Sequence, residues 1–153
     1  MVHNMENGQD NRADAEEIMM QLRYLQNIYS QEYENIENNI ATYTLTNAAI
    51  NRNIELLEKS KEIEGARMMI GGEGGAYVPA AISKIENVLT YVGAGYMIEK
   101  PVEKALEFLR ENGKRGDEIL SKLNAEKRKI EQNLIDIQYK SSALQSQLAG
   151  TQE

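Results

Sequence analysis

The chain has 153 residues, a net charge of −7 at pH 7, 41% hydrophobic residues and 27% charged ones. The acidic balance argues against a nucleic-acid binder, which needs a basic face to displace counterions from phosphate; the short basic cluster at residues 113–116 is followed at once by Asp117 and Glu118. With no Cys there is no disulfide framework, thiolate nucleophile or Cys-ligated metal, and with no Trp and a single Phe the apolar residues must serve something narrower than a large globular core.

Residues 1–13 are polar and Asn-rich and are expected to form a disordered tail without the apolar core of a signal peptide. No apolar run approaches the roughly 20 residues that span a bilayer, so a cytoplasmic protein is expected. Asp14 followed by Glu17 is a helix-opening pair, the Asp carboxylate accepting from free backbone N–H groups. From there a helix is predicted over 14–64, a stretch without Pro or Gly. Its seam reads Leu22, Leu25, Tyr29, Tyr33, Ile36, Ile40, Tyr43, Asn47, Ile50, Ile54 and Leu57, with Ile18 and Met19 before it. Alternating steps of three and four are the mark of a coiled coil, and a polar Asn47 on such a seam fixes register at some cost in stability.

Residues 66–100 change character. Apolar clusters at 68–70, 77–82, 88–92 and 96–98 are short, carry β-branched and aromatic residues, and are separated by "GGEGG", "SKIEN" and "GAG". Period and punctuation predict four strands in two hairpins, with Met68, Ile70, Tyr77, Val78, Ile82, Val88, Leu89, Tyr91, Val92, Tyr96 and Ile98 as their apolar residues. Gly71, Gly72, Gly74, Gly75, Gly93 and Gly95 are the turn glycines, and Pro79, unable to donate a ladder bond, belongs at an edge or a bulge. Isolated hairpins have little core and unpaired edges, so the insert reads as an assembly module.

A second helix is predicted over 101–148, opening on Pro101 in its first turn and followed by a tail at 149–153. Its seam is Val102, Ala105, Leu109, Asn112, Gly116, Ile119, Leu123, Glu126, Ile130, Leu134, Ile137, Ser141, Leu144 and Leu148. Gly113 and Gly116 each cost about 1 kcal/mol relative to Ala inside a helix and are expected to mark a flexible point or a break. Two successive steps of four occur at Leu25–Tyr29–Tyr33 and again at Glu126–Ile130–Leu134. Such stutters unwind a supercoil locally and belong at one level in both partners. They coincide if Leu57 sits beside Val102 and Tyr29 beside Ile130. The expected fold is α+β: a long antiparallel two-helix coiled coil, each helix about 48 residues and roughly 70 Å long, with a central four-strand insert.

No reactive constellation is visible, and "GGEGGAYV" lacks the GK[ST] ending of a P-loop, so neither an enzyme nor a cofactor is expected. The ends of the predicted coil hold more apolar residues than two fraying helices require: Ile18, Met19, Met20, Leu22 and Leu25 from one, Ile137, Tyr139, Leu144 and Leu148 from the other. Met20 and Tyr139 lie off the seam. Such residues either close the seam or offer a flexible apolar surface to other chains.

"NVLTYVGAGYMIEK", Asn87 to Lys100, is similar to the third strand, turn and fourth strand of alpha-class prefoldin subunits, and "PVEKALEFLREN" follows as the family's second helix does. The first hairpin departs from the family, whose members often carry a Pro-Ile/Val-Gly turn where this chain has "MMIGGEGGAYV", so its register stays open. Four strands between the helices match the alpha class; the beta class has one hairpin. The resemblance, over about residues 14–150, implies that the hairpins join those of other subunits into a β-barrel platform, in a hexamer of two alpha-class and four beta-class chains. It also implies that the coil ends hold non-native proteins, without ATP, for transfer to a group II chaperonin. Two other readings remain: a homo-oligomeric or filament-forming structural relative, and a coiled-coil adaptor with one defined partner.

Overall fold

The computed structural model describes the backbone of residues 3–72 and 74–150, with burial from Arg12 onward. In chain order it holds helix α1 (His3–Glu58), the short helix α2 (Ser60–Ile63), strands β1 (Arg67–Gly71), β2 (Tyr77–Ala81), β3 (Asn87–Gly93) and β4 (Tyr96–Pro101), and helix α3 (Val102–Gly150). The four-strand insert between two long helices is the expected one. Three boundaries differ. Residues expected in a disordered tail are helical from His3 onward, because extending an existing helix gains a hydrogen bond per residue fixed while only nucleation is costly. Residues 1 and 2, like 151–153, lie outside the described residues. The first helix ends at Glu58 and resumes at Ser60. Pro101 closes β4 opposite Asn87 instead of opening the helix, a strand end being another place where a missing N–H costs nothing.

The chain divides into two compact units, one of Met1–Thr42 with Leu120–Glu153, the other of Tyr43–Ile119. In the first, α1 and α3 run antiparallel. The Tyr33 hydroxyl donates to Glu131 Oε1 at 3.2 Å, and Lys127 donates to Glu37 with its ammonium 5.2 Å from the Tyr33 ring centroid. Met19, Leu22, Ile36, Ile130 and Ile137 are buried between them. Each such side chain contributes about 1.5–3 kcal/mol when fully withdrawn from water.

The expected stutters are not present. Beyond Leu120 the buried or half-buried positions of α3 include Leu123, Lys127, Ile130, Leu134, Ile137, Ser141, Leu144 and Leu148, which alternate by four and three, with Glu131 and Asn133 half-buried beside them, and Glu126 is exposed. Lys127 takes that place because its methylene stem can lie along Tyr33 while its ammonium reaches Glu37. In α1 a full heptad separates Leu22 from Tyr29, and Leu25 is exposed.

The second unit contains the rest of the helix pair and both hairpins. Asn47 is buried beside Gly116 and donates to Asp117 Oδ1 at 2.8 Å; a Cβ built on Gly113 would lie 3.6 Å from Ile50 Cγ2; Arg110 pairs with Glu58 at 2.6 Å. Ala105 is fully buried. These pairings, like those of Tyr33 and Glu37, sit about one helical turn away from the expected level. The expected break at Gly113 and Gly116 does not occur: α3 is continuous through both.

β1 and β2 pair antiparallel from Arg67↔Ala81 to Gly71↔Tyr77, which fixes the register that sequence left open. Gly71 is therefore a strand residue, not a turn residue, and a Cβ there would come within 2.6 Å of the Tyr77 ring. Ile82 lies just past β2, where its carbonyl accepts from Gly65 at 2.8 Å and its N–H donates to Ala66 at 3.0 Å, tying the first hairpin to the end of α2. Pro79 faces Met69 in a two-stranded sheet, where each strand keeps a free edge. β3 and β4 pair from Asn87↔Pro101, with a bulge between Tyr91 and Gly93. Gly93, Ala94 and Gly95 all turn through positive φ, at 110°, 49° and 81°, which is why glycine flanks the alanine. The Tyr91 hydroxyl accepts from the Gly95 N–H at 3.3 Å.

Candidate functional site

Two surfaces gather the residues that sequence analysis singled out. The first lies on α1 and α3 within the first unit. Ile18, Met20, Leu25 and Tyr139 are exposed, Met20 by 67% and Tyr139 by 78%. Leu144 and Leu148 are half-buried, while Met19, Leu22 and Ile137 are buried. Nine residues named for one surface thus divide by helix face. The seam takes those at a three–four spacing from Ile36 and Ile130, and the off-seam residues are left in water. Ile28 and Ile135, which sequence analysis passed over, are exposed as well. Their signal was present: an Ile at a non-seam position of a coiled coil has no helix partner to bury it.

The second surface is the pair of hairpins. β1 is exposed along its whole length, and Tyr77, Val78, Leu89, Tyr91, Val92, Tyr96 and Ile98 are exposed on the other strands, with Val88 and Ile82 half-buried. Met69 and Met97 belong to the same surface and were not singled out. Picking alternate residues as the apolar face presumes that the other face is solvated, yet these strands are apolar on both faces. Gly72, Gly74 and Gly75 lie in the first turn, the last two at φ 100° and 90°.

Beneath the second hairpin is a cleft of about 510 Å³ lined by Ile50, Leu56, Leu57, Phe108 and Leu109 of the helices and by Val88, Leu89, Thr90 and Tyr91 of β3. Val88 is half-buried and Thr90 buried while Leu89 and Tyr91 are exposed, so the cleft underlies the face of β3 that carries Val88 and Thr90. β3 keeps a free edge on the side away from β4. Thr90 is buried at the cleft with its hydroxyl unpaired. An unmet buried hydroxyl costs about 1–3 kcal/mol, and Thr46, Asn53 and Asn112 also line the cleft. The Lys100 ammonium sits 4.3 Å from the Phe108 ring centroid, holding the end of β4 on α3.

The electrostatics are those of solvated helix faces. Lys127 is held protonated above its ordinary range by its hydrogen bond to Glu37 and then by Tyr33. The exposed pair Lys104–Glu107 raises the lysine and lowers the carboxyl through their mutual hydrogen bond. Among the described residues no group of three His, Cys, Asp or Glu side chains could hold a metal ion, and no helix is long and apolar enough to cross a membrane.

With two long helices and two hairpins between them in sequence, this chain is similar to known proteins. It is 29% identical over 134 residues to the prefoldin subunit alpha of Methanocorpusculum labreanum, covering 82% of this chain and 91% of that protein. It is 33% identical over 108 residues to the prefoldin subunit alpha of Hyperthermus butylicus, covering 68% and 66%. Among solved structures, a filamentous PFD from Methanocaldococcus jannaschii, seen by cryo-EM, superposes with a TM-score of 0.50 at 20% identity over 80% of this chain and 96% of that one, a likeness of fold. The prefoldin subunit model matches residues 29–147, which takes in most of both helices and all four strands, and the chain therefore belongs to the prefoldin family, with alpha subunits among its relatives.

Proposed function

We propose that this chain is the alpha-class subunit of an ATP-independent holdase, assembling through its hairpins with beta-class subunits, two and four respectively, and holding non-native protein at the helix ends until a group II chaperonin accepts it. Family membership supports a chaperone-type role; the finer assignment rests on the hairpins. Strands apolar on both faces, with free edges and a largely apolar cleft beneath one hairpin, are what a subunit completed by other subunits' strands requires. The exposed Met20, Ile18, Leu25 and Tyr139 supply small, adaptable apolar contacts. Each contact is weak, and several subunits acting on one unfolded chain multiply them through effective concentration, which also permits release without nucleotide hydrolysis. The work is binding rather than catalysis, and the cytoplasm is where such clients and a chaperonin meet.

A second reading is favoured by one observation. The similar solved structure is described as filamentous, and free edges admit copies of the same chain as readily as a different subunit. Aggregation of a chemically unfolded test protein, without ATP, separates the two when followed with this chain alone, a beta-class subunit alone, and both mixed, with mass measured in parallel. A hexamer formed only by the mixture, suppressing aggregation, is expected. Met20→Ser with Tyr139→Ser should abolish suppression at unchanged mass. Long polymers of this chain alone, with no suppression, would replace the holdase reading by the structural one.

A further inference from the structure

We propose that Asn47, Gly116 and Asp117 form a lock that selects one of two alignments available to the helix pair of the second unit. The segment Gly113-Lys114-Arg115-Gly116-Asp117 presents two glycines one turn apart on α3. Asn47 is a large polar side chain buried to 8% exposure, and it fits only against a residue without a Cβ: on Gly116 that atom would stand 2.0 Å from Asn47 Oδ1. By size alone, Gly113 would serve as well. If α3 slid by three residues, Asn47 would lie on Gly113 and Ile50 would face Arg110.

The residue after each glycine breaks the tie. At Gly116 it is Asp117, whose carboxylate accepts the Asn47 NH2 at 2.8 Å, a charge-assisted bond. The other carboxamide atom, Oδ1, lies against the bare Gly116 Cα and has no conventional partner, so a weak Cα–H contact is what it has. At Gly113 the following residue is Lys114, which carries donors only. Two NH groups would then face each other. Turning the carboxamide over to meet Lys114 would aim its NH2 at a bare Cα and leave a buried donor unmet. Gly113 is meanwhile occupied in the observed alignment, with Ile50 Cγ2 at 3.6 Å from where its Cβ would be. The lock thus uses shape to admit two alignments and charge to reject one. It fixes which helix residues, Ile50, Leu57, Phe108 and Leu109, lie beneath β3 in the cleft.

The full chain has no cysteine, so introduced pairs report the alignment without background. Ile50→Cys with Arg110→Cys places thiols together only in the slid alignment, and its disulfide equilibrium is read in glutathione buffer. Spin labels on Glu55→Cys and Glu118→Cys, both exposed, follow the same event by distance, because three residues of slide displace one helix by about 4.5 Å. The otherwise native chain is expected to give little disulfide and one label distance. Asp117→Lys, an exposed substitution that makes the two glycine sites alike, should raise the disulfide equilibrium constant at least about tenfold and add a second distance at unchanged helix ellipticity. Asn47→Leu, which fills the seam and needs no acceptor, should also raise it while leaving thermal stability equal or higher. A single distance and an unchanged disulfide equilibrium in both variants would overturn the proposal, as would a parent chain already cross-linked between positions 50 and 110. A variant that merely unfolds is recognised by lost ellipticity and a broad distance distribution, and the other variant then decides.

Discussion

Two glycines three residues apart on one helix should respond to the same substitution with opposite sign. An alanine inside a helix is favoured over glycine by about 1 kcal/mol, and α3 is helical through both positions. At Gly113 the new Cβ meets only Ile50 Cγ2 at 3.6 Å, an ordinary contact, so the propensity gain survives. At Gly116 it would stand 2.0 Å from Asn47 Oδ1 and 2.8 Å from Cγ and Nδ2, distances no packed atom tolerates. The carboxamide cannot swing clear without giving up Asp117, and overpacking of this kind costs about 1–3 kcal/mol. Gly113→Ala is therefore expected to stabilise by up to about 1 kcal/mol, and Gly116→Ala to destabilise by about 0–2 kcal/mol after the propensity gain. For a chain of this size each kcal/mol moves Tm by about 2–4 °C. Thermal unfolding followed by helix ellipticity, at one fixed protomer concentration, measures both. Adding Asn47→Ala to Gly116→Ala should recover most of the loss, since the obstructing group is gone. Equal stabilisation by both alanines would mean that Asn47 does not occupy the space above Gly116, and the packing argument would fail.

Lys127 is a lysine whose folded pKa lies above 10.5, so its contribution is whole below 10.5 and disappears as pH rises through the folded value. Urea midpoints of the parent and Lys127→Met should differ by a constant amount from pH 7 to about 10 and converge above it. In the second hairpin, Ala94 sits at φ 49° between two glycines; Ala94→Gly should be neutral or stabilising by up to about 1 kcal/mol, while Gly95→Ala, at φ 81°, should cost about 1–2 kcal/mol, both read as Tm. Hydrogen exchange should find the free-edge amides of β3 unprotected in the isolated chain and slowed at least about tenfold on mixing with a beta-class subunit. Unchanged exchange in a mixture that does form a hexamer would place the contact elsewhere.

Much of this architecture was legible because coiled coils and hairpins are written in short-range patterns. Alternation of three and four found Leu22, Ile36, Ile130 and Ile137, and the glycine-punctuated apolar clusters found all four strands to within three residues at either end. The failures have a common cause, which is that apolarity was taken for position. Leu25 was placed on the seam for being a leucine, and Glu126 for lying between Leu123 and Ile130, so two stutters appeared that the helices do not contain. Lys127 holds a seam position that no hydropathy pattern could assign, because its burial depends on Tyr33 and Glu37 standing opposite. Gly116 is the same case in reverse: in sequence it is a weak point of a helix, and only Asn47 on the facing helix makes it a requirement. Which of the coil-end residues face water followed from their place on the helix, as Met20 and Tyr139 illustrate, whereas what they bind is a property of another molecule.

The hairpins raise a different question, since no local rule is broken there and yet the result is unfinished. A chain that buries Ile36, Ala105 and Ile130 nevertheless leaves Met68, Met69, Ile70, Tyr77, Leu89, Tyr96 and Met97 in water on strands only five to seven residues long. Scattered exposed apolar residues need no explanation, but a contiguous set on two-stranded sheets does, because such sheets are marginal alone. The unpaired Thr90 hydroxyl narrows the explanation. Apolar cover alone, such as a lipid tail or a collapsed loop, would leave that hydroxyl and the edge amides of β3 without partners. An added strand supplies all three requirements together: side chains for the cleft, a backbone for the free edge, and a polar group within reach of Thr90. On the proposed assembly the exposed surface and the orphaned hydroxyl are one deficit, and a strand from another subunit would repair both.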